Sequence, residues 1–299
     1  AMLISSSASP QVSADFTTLS ANTGCGSLVV EFQDLSTGSP DTWFWDFGNG
    51  NSSTLNNPTV IYALPGVYDV TLVVSNSTTN DTKVSNGLIN VYENPISEIS
   101  TNSLLNGCVP LVVDFEDISF TNNSIVNWQW DFGDGGASNL QHPNYNYVTD
   151  GSFSVSLLVT DVNGCQSLAT EINLIEAYEL PVADFIADIP FSCNPTELVT
   201  FTNNTIGLAS YCWVFGDGST SNLANPTHNY TAGIYSVCLL AKVGTCEDTL
   251  VLNNYIEVGA VLNSDITVDV NSGCENLLVN FTDITANFPD SWLWDFGDG

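Results

Sequence analysis

Alternation of apolar and polar positions dominates this chain. In Trp43-Phe44-Trp45-Asp46-Phe47 the rings at 43, 45 and 47 fall two apart. They therefore point to one face of an extended strand, while Phe44 and Asp46 point to the other. The pattern returns at Trp128-Gln129-Trp130-Asp131-Phe132, at Tyr211-Cys212-Trp213-Val214-Phe215 and at Trp292-Leu293-Trp294-Asp295-Phe296. Trp45 with Phe47, Trp130 with Phe132, Trp213 with Phe215 and Trp294 with Phe296 are expected at the centres of four cores. Burial of each ring contributes at roughly 25 cal/mol per Å2 of apolar area. The central Trp residues are spaced by 85, 83 and 81 residues, too long for a solenoid repeat and suited to a small independent domain.

Each aromatic strand runs into paired glycines with Asn49, Asp134 or Asp217 between them, a turn that needs positive φ. An alternating strand precedes it at residues 28–32, 111–115, 198–201 and 277–281. A polar loop with Asn57-Pro58, His142-Pro143 or Asn225-Pro226 leads to Tyr62, Tyr147 or Tyr230. Gly66, Gly151 or Gly233 then opens a second long alternation, with Tyr68, Val70, Leu72 and Val74, or Phe153, Val155, Leu157 and Val159, facing inward. Asp161-Val162-Asn163-Gly164 reads as a hairpin turn before a closing strand. Helical periodicity is absent. This density of short strands predicts an all-β chain of tandem immunoglobulin-like β-sandwich domains in an extended array. The boundaries fall at a tail over 1–9, domains over 10–93, 94–177 and 178–258, and the N-terminal half of a fourth over 259–299.

The run Trp-x-Trp-Asp-Phe-Gly-Asp-Gly, then Asn-Pro-x-x-x-Tyr, then Gly-x-Tyr-x-Val-x-Leu resembles the PKD domain, the Ig-like module named for the polycystic kidney disease protein. The resemblance covers three repeats and half of a fourth. Its departures are local: Val214 replaces the usual Asp, Asn49 the second Asp, and His142 stands where Asn is usual. Tandem PKD domains with cysteine pairs also resemble the large repeat-containing cell-surface and gliding-motility adhesins of Bacteroidota exported by the type IX secretion system. That likeness implies polysaccharide or protein ligands at a cell surface, and secretion or anchoring machinery, as partners.

Composition narrows the function. The net charge of −31 comes from 33 acidic and 2 basic residues, Lys83 and Lys242, with no Arg. Charged residues are only 12% of the chain, against a typical figure of about 25%, so cations are missing rather than anions crowded. Nothing is present to neutralise phosphates, which argues against nucleic acid. No apolar stretch reaches the length of a membrane span, and residues 1–9 lack the basic start of a signal peptide.

The eight cysteines sort by repeat. Cys108 lies 22 before Trp130 and Cys193 lies 20 before Trp213; Cys165 lies 35 after the one and Cys246 33 after the other. This spacing suggests one bridge per repeat, Cys108–Cys165 and Cys193–Cys246. Cys25 and Cys274 occupy the same first position. The second position of the first repeat reads Ser75-Asn76-Ser77-Thr78-Thr79-Asn80, so Cys25 is expected to be unpaired, and the partner of Cys274 would lie beyond residue 299. Cys212 and Cys238 occur only in the third copy, on strand faces turned away from the core, and are expected to form a cross-strand bridge. Disulfides imply an oxidising, extracellular or cell-surface setting.

Candidate chemistry is sparse. The motif aspartates could gather calcium, but the terminal bidentate Glu of an EF-hand loop is missing and Val214 occupies one of the positions. They are expected to accept backbone hydrogen bonds in the turn. Better calcium candidates are the acids at the repeat junctions: Glu93 and Glu98, Glu176 and Glu179, Asp184 and Asp188. No other cofactor is implied. His142 and His228 occupy different motif positions, and no nucleophile elbow, phosphate loop or Cys/His dyad occurs. The expected function is a non-enzymatic stiff stalk or filament for cell-surface adhesion. Two alternatives stand beside it: a PKD spacer in a secreted protease or glycosidase, and a fibre subunit completed by a strand donated in trans.

Overall fold

A computed structural model describes residues 11–259, 264–273, 276–285 and 291–297. All regular structure in them is β, as the alternation requires. In the first repeat the strands are β1 (Phe16–Thr18), β2 (Thr23–Cys25), β3 (Leu28–Asp34), β4 (Thr42–Asp46), β5 (Ser52–Ser53), β6 (Thr59–Tyr62), β7 (Gly66–Ser75) and β8 (Asn80–Tyr92). They form one sheet in the order β1-β3-β6 and a second in the order β2-β8-β7-β4-β5.

The second repeat has β9 (Ile99–Thr101), β10 (Asn106–Cys108), β11 (Leu111–Asp117), β12 (Ile125–Asp131), β13 (Ala137–Ser138), β14 (Asn144–Tyr147), β15 (Gly151–Asp161) and β16 (Gln166–Tyr178). Its strands β14-β11-β9 and β16-β15-β12-β13 are neighbours in two sheets. The third has β17 (Phe185–Ala187), β18 (Phe191–Ser192), β19 (Thr196–Asn203), β20 (Ser210–Val214), β21 (Thr220–Ser221), β22 (Thr227–Thr231), β23 (Gly233–Val243) and β24 (Cys246–Val258). Its sheets run β17-β19-β22 and β18-β24-β23-β20-β21. A short pair, β25 (Ile266–Val268) and β26 (Phe281–Asp283), follows. Two compact units divide the chain: one holds the first repeat and most of the second, the other the third repeat with residues 106–111 and 148–151.

The aromatic strand lies inside its sheet. β4 pairs with β7, Trp45 opposite Leu72, and β20 with β23, Trp213 opposite Leu239. Trp45, Trp130 and Trp213 are fully buried, with Phe47, Phe132 and Phe215 stacked beside them at 6.2, 6.3 and 6.4 Å. A buried indole N–H needs an acceptor, and each finds one at the same place: Leu55, Leu140 and Leu223 carbonyls, all at 2.9 Å. The outer Trp of the motif is only half-buried and points its N–H to a carboxylate instead. Trp43 donates to Asp34 at 2.8 Å and Trp128 to Asp117 at 2.7 Å. Where the third repeat has Tyr211, the acid is replaced by Asn203.

The fourth copy departs from the core expectation. Trp294 and Phe296 keep their mutual stacking at 6.2 Å and a tilted contact with Phe281, but they are 37% and 61% exposed. Among the described residues, 291–297 form no strand and no strand is paired with them.

Candidate functional site

The motif turn is built by two successive side-chain locks. Asp46 accepts from the Gly48 N–H at 3.0 Å and Asn49 from the Asn51 N–H at 3.0 Å. Asp131 and Asp134 repeat this at 2.9 Å each, and Asp217 holds Ser219 N–H at 2.9 Å. The first glycine is obligatory for a second reason. Gly48, Gly133 and Gly216 have φ of 73°, 83° and 89°, and a Cβ there would collide with the carbonyl oxygens of Asp69, Ser154 and Ser236. In the first and third repeats that neighbour is the extra residue of a β-bulge, between Tyr68 and Val70 and between Tyr235 and Val237. Its side chain is also used: Asp69 accepts from Gly87 N–H at 2.6 Å, and Ser154 and Ser236 accept from Asn173 and Asn254 N–H at 3.0 Å. Gly87, Asn173 and Asn254 all have φ between 53° and 59°. Sequence reading missed this bulge pair; the spacing from Gly87 to Asn173 to Asn254 was the available signal.

In the third repeat the turn assembles a Ser, a His and an Asp. His228 Nε2 lies 2.7 Å from Asp217 Oδ2 and 3.2 Å from Ser219 Oγ, and Ser219 Oγ donates to Asp217 Oδ1 at 2.5 Å. One ring nitrogen faces both partners, whereas a nucleophile-activating triad needs Ser and acid on opposite nitrogens. The second repeat explains the cluster. There Tyr145 stacks on Phe132 at 3.8 Å and its hydroxyl donates to Asp134 at 2.9 and 3.0 Å. His228 stacks on Phe215 at 4.3 Å in the same position. Both rings brace the turn. Partial burial acts to raise the Asp217 carboxyl, but hydrogen bonds from Ser219 and His228 outweigh it and bring it down to about 2.

Asp117 is a buried carboxylate, 6% exposed. It accepts from Trp128, from Gln141 Nε2 at 3.3 Å and from Ser119 N–H at 2.9 Å. A shallow groove of about 310 Å3 opens beside it, lined by Ser119, Phe120, Asn123, Trp128 and Gln141. Asp34 holds Trp43, Asn56 and Ser36 in the same way, so the arrangement anchors the outer Trp.

The junction acids do not gather as expected for calcium. Glu93 accepts from Asn122 Nδ2 at 2.8 Å, and Asp188 accepts from Thr200 N–H at 2.8 Å, which lowers its pKa. Glu98 and Asp184 use their backbone N–H groups, toward Ser119 and Thr205, while Glu176 N–H bonds to the Leu105 carbonyl. Glu179 lies in the segment between β16 and β17. Among the described residues no three His, Cys, Asp or Glu side chains form a group that could hold a metal ion.

The cysteines overturn the within-repeat pairing. Cys25 is bonded to Cys165, and Cys108 to Cys246, each with Cα atoms 5.5 Å apart. The first half-cystine of one repeat thus joins the second half-cystine of the next. Strand length is the reason. In the third repeat Cys246 opens β24, while Ser192, beside Cys193, pairs with its last residue, Val258. At about 3.3 Å per residue the two ends of β24 are about 40 Å apart, far beyond the roughly 7 Å limit between bridged Cα atoms. In the second repeat Cys165 directly precedes the equally long β16, and the Val109 N–H, next to Cys108, bonds to the carbonyl of its last residue, Tyr178. Cys25, expected to be unpaired, is therefore bonded, and Cys193, expected to be bonded, is a free and exposed thiol. Cys212 and Cys238 are free as well. Their register explains it: Cys212 faces Leu240 and Val214 faces Cys238, so the two thiols are diagonal rather than opposite. Burial, and then Cys212 nearby, raises the Cys238 thiol pKa. Cys274 lies outside the described residues.

The family model described as the PKD domain matches residues 7–91, 92–174 and 179–254. A microbial collagenase of Vibrio alginolyticus is 36% identical over 96 residues, which span 32% of this chain and 11% of the collagenase. Among solved structures, the PKD1 domain of Vibrio anguillarum Epp is 26% identical, covering 29% of this chain and 98% of its own, with a TM-score of 0.26. The PKD1 domain of the Vibrio cholerae metalloprotease PrtV is 29% identical, covering 26% and 91%, with a TM-score of 0.24. With three tandem matches taking up most of its length, the chain belongs to the PKD domain family.

Proposed function

We propose that the chain is a non-catalytic extracellular stalk, carrying an adhesive module at a cell surface and bearing tension along a run of PKD domains. The observation behind this reading is the connectivity of the disulfides, Cys25 to Cys165 and Cys108 to Cys246. A bridge inside one repeat stabilises that repeat alone. A bridge between successive repeats bypasses the linker and makes the linked repeats extend together. Disulfides persist in oxidising compartments, and a chain with two lysines and no arginine offers trypsin-like proteases few sites. Surface polysaccharide or protein is the ligand class that a stalk of this kind serves, through modules it carries rather than through the buried motif rings.

The test is adhesion under flow. Cells displaying the natural protein should detach at lower shear when Cys25 and Cys108 are both replaced by Ser, at unchanged surface level. Detachment at the same shear would sink the mechanical reading. The similarity to a segment of a collagenase favours a second reading, a spacer within a secreted hydrolase. Hydrolytic activity of the natural protein on a protein substrate, without any effect on attachment, would favour it over the first.

A further inference from the structure

We infer that Cys193 is a receptor for the hairpin cysteine of another PKD repeat, the site of a third staggered disulfide. The inference stands on the pairing register and not on the mechanical reading. Cys25 ends β2, where Gly24 and Cys25 pair in parallel with Val91 and Tyr92 at the end of β8. Ser192 pairs in parallel with Val258 at the end of β24, and the Gly259 N–H donates to the Ser192 carbonyl at 2.8 Å. Cys193 follows directly and so occupies the place of Cys25. In Cys108 the same place is marked by the Val109 N–H, which donates to the Tyr178 carbonyl at 2.8 Å. Cys25, Cys108 and Cys193 lie 20, 22 and 20 residues before their Trp. Two of these three equivalent positions are bonded, and both are bonded to one kind of partner: a cysteine 33 or 35 residues after the Trp of the succeeding repeat, at its long hairpin.

The partner is constrained by what this chain already uses. Cys165 and Cys246 are committed, and the hairpin of the first repeat, residues 76–79, carries no cysteine. A second copy of these three repeats therefore has no hairpin thiol to offer, and the partner is the hairpin of a further PKD repeat. Closure breaks the S–H bonds of Cys193 and of that cysteine and forms one S–S bond. Two protons and two electrons pass to a disulfide-bearing thiol oxidoreductase of the oxidising compartment, which leaves as a dithiol.

The natural full-length protein, alkylated on harvest and digested without reductant by a protease that does not need Lys or Arg, gives the test by mass spectrometry. The expected result is a Cys193 peptide linked to a peptide whose cysteine lies 33 to 35 residues after a Trp-x-Trp or equivalent motif. The linked Cys25–Cys165 peptides in the same digest show that the ladder is intact. Alkylated Cys193, Cys193 bonded to Cys212, Cys238 or Cys274, or a Cys193–Cys193 dimer would each overturn the inference. Loss of the Cys25–Cys165 link would overturn the register on which it rests.

Discussion

Stretching separates a staggered pairing from a within-repeat pairing by length alone. Cys25 and Cys246 are 221 residues apart in the chain. Fully unfolded and reduced, that segment extends to about 750 Å at about 3.4 Å per residue. With both bridges closed, the taut path crosses from Cys25 to Cys165, returns along 57 residues to Cys108, and crosses to Cys246. Only those 57 residues then carry load, so the segment extends to about 190 Å. Bridges within repeats would hide 57 and 53 residues instead, leaving 111 and about 380 Å. Single-molecule force spectroscopy, with handles outside Cys25 and Cys246 and with or without reductant, resolves differences of this size. An oxidised contour length near 380 Å would refute the connectivity, and one that does not change on reduction would refute the bridges altogether. Cys25→Ser alone should lengthen the oxidised path to the 83 residues from 25 to 108, about 280 Å.

The repeated tyrosines differ in a way that denaturant unfolding can read. Tyr147 and Tyr230 donate to the Phe132 and Phe215 carbonyls at 3.1 Å, whereas the buried Tyr62 hydroxyl has no partner. Tyr147→Phe and Tyr230→Phe should each cost about 1 kcal/mol, and Tyr62→Phe should cost nothing or stabilise; equal losses at all three would contradict this. Gly135, with φ of 94° and open space around it, should accept Ala for about 1–2 kcal/mol, while Gly133→Ala should cost clearly more because the Ser154 carbonyl blocks it. Equal melting shifts for the two would count against the bulge contact. The folded Asp217 carboxyl, at about 2, lies below its ordinary value of 3.8. Its contribution is present above about pH 4 and is lost as pH falls toward 2. Asp217→Asn should therefore flatten the acid dependence of thermal unfolding in that window, and an unchanged profile would remove the His228–Ser219 brace from the account.

Much of the fold was legible because β-alternation is local. The rings at 45, 47, 130, 132, 213 and 215 declare their face by spacing alone, and the glycine pairs declare the turn. The pairing of the cysteines was not legible by the same means. Spacing from the Trp identified two equivalent positions in each repeat correctly, but a count along the chain cannot say that they stand at opposite ends of a 13-residue strand. Once β16 and β24 are seen at full length, a within-repeat bridge is geometrically impossible. At Trp294 and Phe296 alternation marks the face that a strand would bury, while burial itself needs an opposing strand, and none is among the described residues. The His228 cluster was invisible because its ring replaces Tyr145, a residue of different chemistry performing the same stacking.

The staggered bridges also bear on how such a gene can change. A repeat of the second kind contributes one half-cystine to each neighbour, so loss or duplication of a whole unit by recombination leaves the bridging cysteines of adjoining units beside partners of the correct kind. A within-repeat bridge would tolerate the same events without linking the neighbours. Here a lineage can alter the number of units while preserving an unbroken chain of cross-links, provided that exchanges respect the boundaries of the repeat. Length can then vary freely, and continuity of the cross-links is inherited with each copy.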